Sequence, residues 1–378
     1  MKLRYTFRLR PGAAAERALW QEAGRCRWVW NQAAAARKNR TAKFDDKSLT
    51  AARREHEWLR AGSSVAQKQA LRDFYSKKAT GKHSRKFRSR RDQKVSLNYT
   101  RNGFALKPDV EGRIRLVVAG GIVLPVVWSR ELPSAPSSVR VYRDAVGHWW
   151  ASFVVEREHA PLPPSNDAIG IDWGVSQIAT TTDPAYDLPH PKLGRKHAAQ
   201  LAAAQRRMAR RKPARFQPAS KGYKRAKRQA AVIHEHVRNA RREEARKWAR
   251  RVVLDHGYIA IEDFRPTFMM RNKKLSRAAA DAAVSLAKRI LIEYAQRDGR
   301  TVVMIDPAYT TMDCSACGAR AKTRLSLSER TYDCHSCGAR LDRDLNAARN
   351  IALKAGFNLA GADGVRQPGH PTGSQAAA

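Results

Sequence analysis

The stretch CSACGARAKTRLSLSERTYDCHSCGARLDRDLNAARNI, residues 314–351, decides how the carboxyl-terminal half of this 378-residue chain folds. It holds four of the five cysteines as two CxxC pairs with sixteen residues between them. The four are Cys314, Cys317, Cys334 and Cys337. This spacing is typical of a zinc ribbon with four thiolate ligands, although a redox dithiol pair or disulfides are alternatives. A closed four-thiolate site predicts zinc that is structural and not catalytic.

Two aspartates, Asp342 and Asp344, follow the second cysteine pair at the start of a predicted helix, DLNAARNIAL. The residues three, four, seven and eight positions after Asp344 are apolar, which predicts that Asp344 faces the protein interior. These apolar residues are Ala347, Ala348, Ile351 and Ala352. The corresponding neighbours of Asp342 are mostly polar, so we expect Asp342 to face solvent or to cap the helix.

Two strand patterns each carry an acid on the side of the strand that holds small residues. In DAIGIDWG, alternation places Ile169 and Ile171 on one face and Asp172 on the other. In YIAIEDF it separates the two isoleucines from Glu262. Each acid has an alternative interpretation as a solvated residue at a strand end. If Asp172, Glu262 and Asp344 converge, they would bind Mg²⁺, and two such ions about 4 Å apart would support phosphodiester hydrolysis.

The composition favours a polyanionic partner. The chain has 73 Lys and Arg against 34 Asp and Glu, a formal charge of +39, and a sequence pI near 10.9, which makes nucleic acid the leading candidate. No apolar run is long enough for a transmembrane helix and the amino terminus lacks the apolar core of a signal peptide, so we expect a cytoplasmic protein without a membrane partner. The cysteine pairs fit metal binding in a reducing compartment.

The remaining patterns predict a multidomain α/β chain. An alternating first strand is followed by helices over 13–38 and 48–80, and four strand patterns between 113 and 156 predict a β barrel or sandwich that receives the helical region as an insertion. After the linker-like PLPPSND come strands and further predicted helices. These predicted helices span 196–211, 224–251 and 275–297. Cys26 is expected to pack in a helix interface.

A basic run, KKATGKHSRKFRSRRDQK at 77–94, contains nine basic residues and one acid. A solvated face or a disordered segment is the alternative to a loop that contacts phosphates, which Phe87 within the run and the overall charge favour. Later helices are also strongly basic. The candidate nucleic-acid contacts are Lys77, Lys78, Arg85, Lys86, Arg88, Arg90, Arg91, Arg210, Arg211, Lys224 and Arg228.

The motifs GIDWGVSQIAT, IAIEDF, CSACG, CHSCG and DRDLNAARNI, in this order, resemble the RuvC motifs and zinc-ribbon insertion of TnpB, the RNA-guided nuclease of insertion sequences. RWVWNQ and KFRSRRDQKVSLNY extend the resemblance over nearly the whole chain. It implies an RNase H-like (RuvC) nuclease domain with a four-cysteine zinc-ribbon insertion, preceded by a β-barrel wedge domain with an inserted helical recognition domain. The implied bounds are wedge 1–10 and 95–160, recognition 11–94, linker 161–167, nuclease 168–308 and 342–360, zinc ribbon 309–341, and a disordered tail 361–378.

The resemblance implies that Asp172, Glu262 and Asp344 are the catalytic acids and bind two Mg²⁺ ions. It also implies that a guide RNA pairs with one strand of a double-stranded DNA target beside a short motif that the protein reads. Arg330 then lies near the scissile phosphate or is a solvated residue, and Asn346 orients Asp344 or caps the helix. Asp313 departs from the family pattern, in which a neutral residue is expected.

Four functions remain open from the sequence. The leading one is an RNA-guided DNA endonuclease that works as a monomer with its RNA. The alternatives are a nuclease-inactive RNA-guided DNA-binding regulator, an unguided zinc-ribbon DNA-binding protein, and a compact type V CRISPR effector, which shares the same architecture. The three acids argue against the first two alternatives, and the chain is at the small end of the size range for the third.

Overall fold

The computed structural model describes residues 1–76, 86–89, 95–158, 161–214, 217–263, 276–323, 325–326 and 329–357. The chain forms two compact units, Met1–Glu158 and His159–Ala378. The predicted tail, 361–378, lies outside the described residues. So do five of the predicted nucleic-acid contacts, which are Lys77, Lys78, Arg85, Arg90 and Arg91.

The first unit is built on a seven-stranded antiparallel sheet in the order β2-β6-β7-β1-β5-β4-β3. The strands are β1 Lys2–Leu9, β2 Ser96–Thr100, β3 Phe104–Pro108, β4 Ile114–Val118, β5 Ile122–Val127, β6 Ser138–Arg143 and β7 Trp149–Glu156. Only residues 101–103 separate β2 from β3, yet these strands lie at opposite ends of the order. The sheet therefore curls into a nearly closed barrel, and the predicted barrel is confirmed, although β2 and β3 were not predicted.

Helices inserted after β1 cover the barrel. They are α1 Ala13–Lys38, α2 Asp46–Glu55, α3 Glu57–Arg60 and α4 Ser64–Tyr75. The region predicted as one helical stretch over 48–80 is thus divided into three helices within its described part. New helices begin where Asp45 accepts a hydrogen bond from the N–H of Ser48 and where Ser63 accepts one from Ala66. Cys26 is buried in the core shared by the barrel, α1 and α4, as expected.

The second unit contains a mixed five-stranded sheet in the order β10-β9-β8-β11-β12. Its strands are β8 Ala168–Trp173, β9 Gln177–Thr181, β10 Leu188–Pro189, β11 Tyr258–Glu262 and β12 Thr301–Ile305. The three strands β8, β11 and β12 are parallel, while β9 and β10 are antiparallel to their neighbours. A separate hairpin between the cysteine pairs and the last helix consists of β13 Thr331–Asp333 and β14 Arg340–Asp342.

Six helices are described in the second unit. They are α5 Leu193–Lys196, α6 Ala198–Arg210, α7 Lys221–Asp255, α8 Ser276–Ala282, α9 Val284–Arg297 and α10 Arg343–Lys354. The prediction of one helix over 275–297 is wrong, because Ala283 has a φ of 52° and separates α8 from α9. Asp281 of α8 accepts hydrogen bonds from Gly194 and Arg195 and pairs with Arg241, and these contacts offset the strain of about 1–2 kcal/mol at a left-handed residue. No described helix combines the length and the apolar character that a membrane crossing requires.

The two faces of the five-stranded sheet pack against different partners. The isoleucines of β8 and β11 lie on one face, fully buried against α7 and α9. They are Ile169, Ile171, Ile259 and Ile261. The other face carries Gly170, where an added Cβ would stand 2.2 Å from the backbone oxygen of Ala348 in α10. Glycine is therefore required for α10 to lie this close to β8.

Candidate active site and metal centre

Asp172 and Glu262 meet at the ends of two adjacent parallel strands. Ile171 of β8 is the direct partner of Ile261 of β11, so the next residue of each strand is an acid on the same edge of the sheet. Asp172 is 9% exposed, and its carboxyl group shares a hydrogen bond with that of Glu262. The two strands therefore bring these carboxyl groups close together.

Asp344 approaches this pair from α10. The four apolar residues predicted to form the inner face of this helix are all fully buried, and the helix contacts β8, β9 and β11. Asp344 lies close enough to Asp172 for its charge to raise the pKa of Asp172. Asp342 instead caps the helix, accepting hydrogen bonds from the N–H groups of Asp344 at 2.9 Å and Leu345 at 3.0 Å. The geometry thus separates the two aspartates in the way their helical neighbours predict.

The electrostatics of the three acids suit a divalent cation. Burial, then the charges of Glu262 and Asp344, raise the pKa of Asp172 well above its usual value. Burial also raises the pKa of Glu262, while the hydrogen bond from Asp172 and the charge of Lys288 oppose this shift. The carboxylates repel one another, and a hard cation with oxygen ligands would relieve that repulsion. Ligand oxygens of the three acids do not all lie within 4.8 Å of one another. Their chemistry suits Mg²⁺, which takes oxygen ligands, and its binding by Asp172, Glu262 and Asp344 stays a prediction.

Two basic side chains hold the acids in place. Arg330 donates a hydrogen bond to Oδ2 of Asp344 at 2.9 Å, while its side chain is 52% exposed. Its contact with a scissile phosphate stays a prediction. Lys288 of α9 donates to the backbone oxygen of Glu262 at 3.1 Å and to Asp263 at 3.0 Å. Sequence reasoning missed Lys288, because a single lysine in an amphipathic helix has no pattern that marks it. Asp263, beside Glu262, is engaged with this lysine.

A groove of about 360 Å³ opens beside Asp344 and includes residues that the sequence did not single out. Gln177 and Thr180 of β9 line it together with Arg330. Thr180 is the direct strand partner of Asp172. Alternation along GVSQIATTT would have indicated which residues of β9 face the groove, but only once β9 is known to pair with β8. The groove has room for an extended phosphate backbone beside Asp344, whereas Asp172 and Glu262 do not line it.

The four cysteines converge as a metal site. Their sulfur atoms all lie within 4.8 Å of one another, and all four thiols are free of disulfide bonds. Gly318 and Gly338, which follow the two pairs, have φ values of 77° and 74°, a conformation that favours glycine. The backbone N–H groups of Cys337 and Ser336 lower the pKa of Cys334 to about 6. Despite a backbone hydrogen bond that lowers it, the pKa of Cys337 is raised to about 12 by hydrogen bonds with the other cysteines. The clustering of four free thiols is therefore the feature that fits tetrahedral Zn²⁺.

Asn346 has a different contact from either predicted role. Its amide accepts a hydrogen bond from the N–H of Ser315 at 2.8 Å and donates one to the backbone oxygen of Asp313 at 2.8 Å. One turn later, Asn350 donates to the backbone oxygens of Thr310 and Asp313. Asn346 therefore neither orients Asp344 nor caps the helix, because both of its polar atoms are bonded to the loop that carries Cys314.

Asp313, the departure from the family pattern, has a structural explanation. Its carboxylate pairs with Arg320 at 2.7 Å, across the first cysteine loop. Lys354 at the end of α10 lies 3.9 Å from the same carboxylate. Two cations therefore neutralise an acid at a position where a neutral residue was expected.

The described candidates for nucleic-acid contact are exposed. Lys86 and Arg88 lie in the first unit, where the Arg88 guanidinium stacks 3.4 Å from the ring centre of Trp30. In the second unit the exposed candidates follow the end of α6 and the first turns of α7. These are Arg210, Arg211, Lys224 and Arg228. Their contacts with nucleic acid stay predictions.

Family models match three parts of the chain. A model described as a probable transposase of the OrfB type from IS605 matches residues 152–273, a Cas12f1-like TNB domain matches 286–351, and a helix-turn-helix domain of OrfB matches 1–45. In a Streptomyces pristinaespiralis relative, whose name describes it as a candidate RNA-guided DNA endonuclease, 315 aligned residues are 32% identical and cover 80% of this chain and 74% of that one. The chain belongs to the TnpB family.

Further similarities are consistent with TnpB architecture. A relative from Escherichia coli K12 that is named InsQ, again as a candidate RNA-guided DNA endonuclease, is 28% identical and covers 97% of this chain and 95% of its own length. The solved Cas12f1 complex with sgRNA and target DNA matches with a TM-score of 0.57 at 12% identity, covering 93% of this chain and 98% of that chain. At this identity the likeness supports the fold alone. The segment of this TnpB-family chain that matches the helix-turn-helix model, residues 1–45, consists of β1 followed by the single long helix α1.

Proposed function

We propose that this chain is an RNA-guided endonuclease that cleaves double-stranded DNA in a single RuvC-like site. The observation that carries the proposal is that carboxyl groups from β8, β11 and α10 lie within range of one another's charge, and that the third of them, Asp344, lines an open groove. The names of the Streptomyces and Escherichia relatives support RNA guidance and DNA cleavage. The net charge of +39 supports a partner with two long phosphate backbones.

The residues divide the chemical work in a simple way. Asp172, Glu262 and Asp344 would hold two Mg²⁺ ions, which when bound supply Lewis-acid stabilisation of charge on the phosphate oxygens and activate water. Lys288 fixes the end of β11 and so the direction of Glu262. Arg330 stands at Asp344, where its guanidinium can also reach a phosphate in the groove. Gln177 and Thr180 would contact the strand that lies there.

The partners follow from the same assignment. Pairing between guide RNA and one DNA strand would select the target, so the protein mainly needs cationic surfaces for the backbones and a short motif to read beside the target. We propose a monomer with its RNA as the working particle, in the reducing cytoplasm of a prokaryote, where the four thiols would hold structural Zn²⁺.

The test is cleavage of a matched double-stranded target by the purified RNA–protein complex in Mg²⁺. Alanine at Asp172, Glu262 or Asp344 should abolish cleavage, a loss of at least about 1000-fold, because each removes a ligand that no neighbour replaces. Asp263→Ala and Asp342→Ala are the matched controls and should reduce cleavage less. Asp263 is paired with Lys288, and Asp342 caps the amino end of α10, so neither is proposed to bind metal. All variants should bind the guide RNA as the unmodified chain does.

Other outcomes would identify the alternatives. Cleavage by the Asp172→Ala complex would overturn the assigned site. Target binding without cleavage by the unmodified complex would indicate a nuclease-inactive regulator. Binding of DNA with no dependence on RNA would indicate an unguided zinc-ribbon protein, and a copurified RNA derived from a repeat array would indicate a CRISPR effector.

A further inference from the structure

One face of α1 carries a groove of about 770 Å³ with aromatic walls and a basic rim. Trp20, Gly24 and Trp28 line it at intervals of four residues, so they lie on the same side of the helix. At a rise of about 1.5 Å per residue, the two tryptophans are about 12 Å apart along the helix axis. Because the residue between them has no side chain, a notch remains in the helix surface.

The described packing does not require glycine at position 24. A Cβ added there would have only Nη2 of Arg27 nearby, at 3.6 Å, which is an ordinary van der Waals contact. Glycine in the interior of a helix lowers helix stability relative to alanine. Gly24 therefore makes the helix less stable, and no close neighbour explains why a glycine is there. Its one structural consequence is the open notch in the helix surface.

Three of the nine tryptophans line this groove, and their indole N–H groups have no hydrogen-bond partner in the part of the chain that the structure describes. They are Trp20, Trp28 and Trp58. Of the other six, four donate to a protein oxygen, while the indole N–H groups of Trp149 and Trp173 are buried without a partner among the described residues. Trp58 is 46% exposed and stands edge-on to Trp28, with 5.8 Å between ring centres. The groove therefore offers aromatic faces together with free donors, which suits a flat ligand with a polar edge.

The rim of the groove supplies positive charge. Arg25 is held by Glu22 and by the backbone oxygen of Trp58, to which it donates at 2.6 Å. Arg27 has no hydrogen-bond or ion-pair partner among the described residues, so its guanidinium is available for an anion. A phosphate backbone complements this rim, and the bases attached to it have the faces that tryptophan stacks against.

We propose that the groove binds an unpaired nucleobase, which stacks in the notch between Trp20 and Trp28 beside Trp58, while Arg27 contacts the adjoining phosphate. This inference rests on nucleic acid being the partner under the proposed function, but it does not depend on cleavage. Base stacking tolerates any base, so the site would hold a flipped or single-stranded nucleotide without reading its sequence.

The test uses a short single-stranded oligonucleotide that contains one 2-aminopurine, as DNA and as RNA. Mg²⁺ is omitted so that no cleavage occurs while the cysteine site keeps its zinc. The fluorescence of 2-aminopurine falls when it stacks. Gly24→Leu fills the notch and should preserve the helix, and Ala14→Leu adds the same bulk to an exposed position of α1 outside the groove. Trp58→Ala and Trp58→Phe provide a second, independent pair, because phenylalanine keeps an aromatic face.

We expect quenching and binding with the unmodified chain and the Ala14→Leu variant, and about tenfold weaker binding with much less quenching for Gly24→Leu and Trp58→Ala. Trp58→Phe should restore most of the loss. The loss should persist at high salt, whereas the effect of Arg27→Ala should shrink as salt rises. The stronger response of the DNA or the RNA oligonucleotide identifies the natural strand.

Equal binding and quenching by Gly24→Leu, Trp58→Ala and the unmodified chain, with all variants shown to be folded by thermal unfolding, would overturn the proposal. Equal losses for duplex and single strand would also overturn it, since they would indicate a general cationic surface. Failure of this test would leave DNA cleavage by Asp172, Glu262 and Asp344 intact, and a chain that stacks bases without cleaving would contradict only the nuclease proposal.

Discussion

At the scale of single residues, the position of Asp172 suits the proposed metal binding but lowers the stability of the metal-free chain. Its carboxyl group is buried beside Glu262 and within range of the charge of Asp344. A buried acid among like charges is costly unless a cation neutralises it. Strand alternation predicted the side of the sheet on which Asp172 and Glu262 lie, but not how deeply Asp172 is buried, which depends on α10 covering β8 at Gly170.

Replacing this carboxyl should therefore stabilise the metal-free chain. In zinc-loaded protein without Mg²⁺, Asp172→Asn should raise the melting temperature by several degrees, whereas Mg²⁺ should raise that of the unmodified chain and have little effect on the variant. The pKa of Asp172 is higher in the folded chain than its ordinary value of 3.8. The unmodified chain therefore loses stability as the pH rises from 3.8 through the pKa of the folded state. Asparagine does not titrate, so the stability advantage of the variant should grow over the same pH range. Thermal unfolding at several pH values measures both effects. A lower melting temperature for zinc-loaded Asp172→Asn without Mg²⁺ would contradict this explanation.

At the scale of elements, α10 joins the candidate active site to the cysteine site. Its apolar face lies on the sheet, and a polar stripe at intervals of four residues holds the loop that leads to Cys314. The stripe consists of Asn346, Asn350 and Lys354. The apolar face followed from the sequence, because helical periodicity is local. The stripe did not, because its partners are backbone atoms more than thirty residues away.

The stripe should preorganise the first cysteine pair for zinc. Asn346→Ala removes two hydrogen bonds to this loop, so zinc transfer to a chromogenic chelator should be about tenfold faster than in the unmodified chain, the size typical of groups that orient metal ligands. Asn239→Ala, at an exposed position of α7, is the matched control. Zinc release at the same rate from all three proteins would show that the stripe does not support the site.

Other elements show where local patterns fail. The predicted helix over 275–297 breaks at Ala283 because Asp281 bonds to α5 and α7, and no sequence periodicity contains those contacts. Similarly, β2 and β3 are short, and their place at opposite ends of the sheet depends on long-range pairing. The strands with strong alternation, such as β1 and β7, were predictable from the chain alone.

At the scale of the whole molecule, a net charge of +39 makes the free protein repel itself. We expect nucleic acid to copurify with the chain, and we expect its removal to lower the melting temperature, which added guide RNA should restore. The ratio of absorbance at 260 and 280 nm and thermal unfolding before and after nuclease treatment measure this. Purification free of nucleic acid, with a melting temperature that RNA does not change, would count against the proposed partner.

The central claim is that Asp172, Glu262 and Asp344 converge to bind divalent cations. Titration with Mn²⁺, followed by electron paramagnetic resonance in the absence of nucleic acid, tests it most directly. Binding should be lost in Asp172→Asn, Glu262→Gln and Asp344→Asn, and it should remain in Asp342→Asn, which alters only the helix cap. Undiminished Mn²⁺ binding by the first three variants, all folded and zinc-loaded, would contradict the claim.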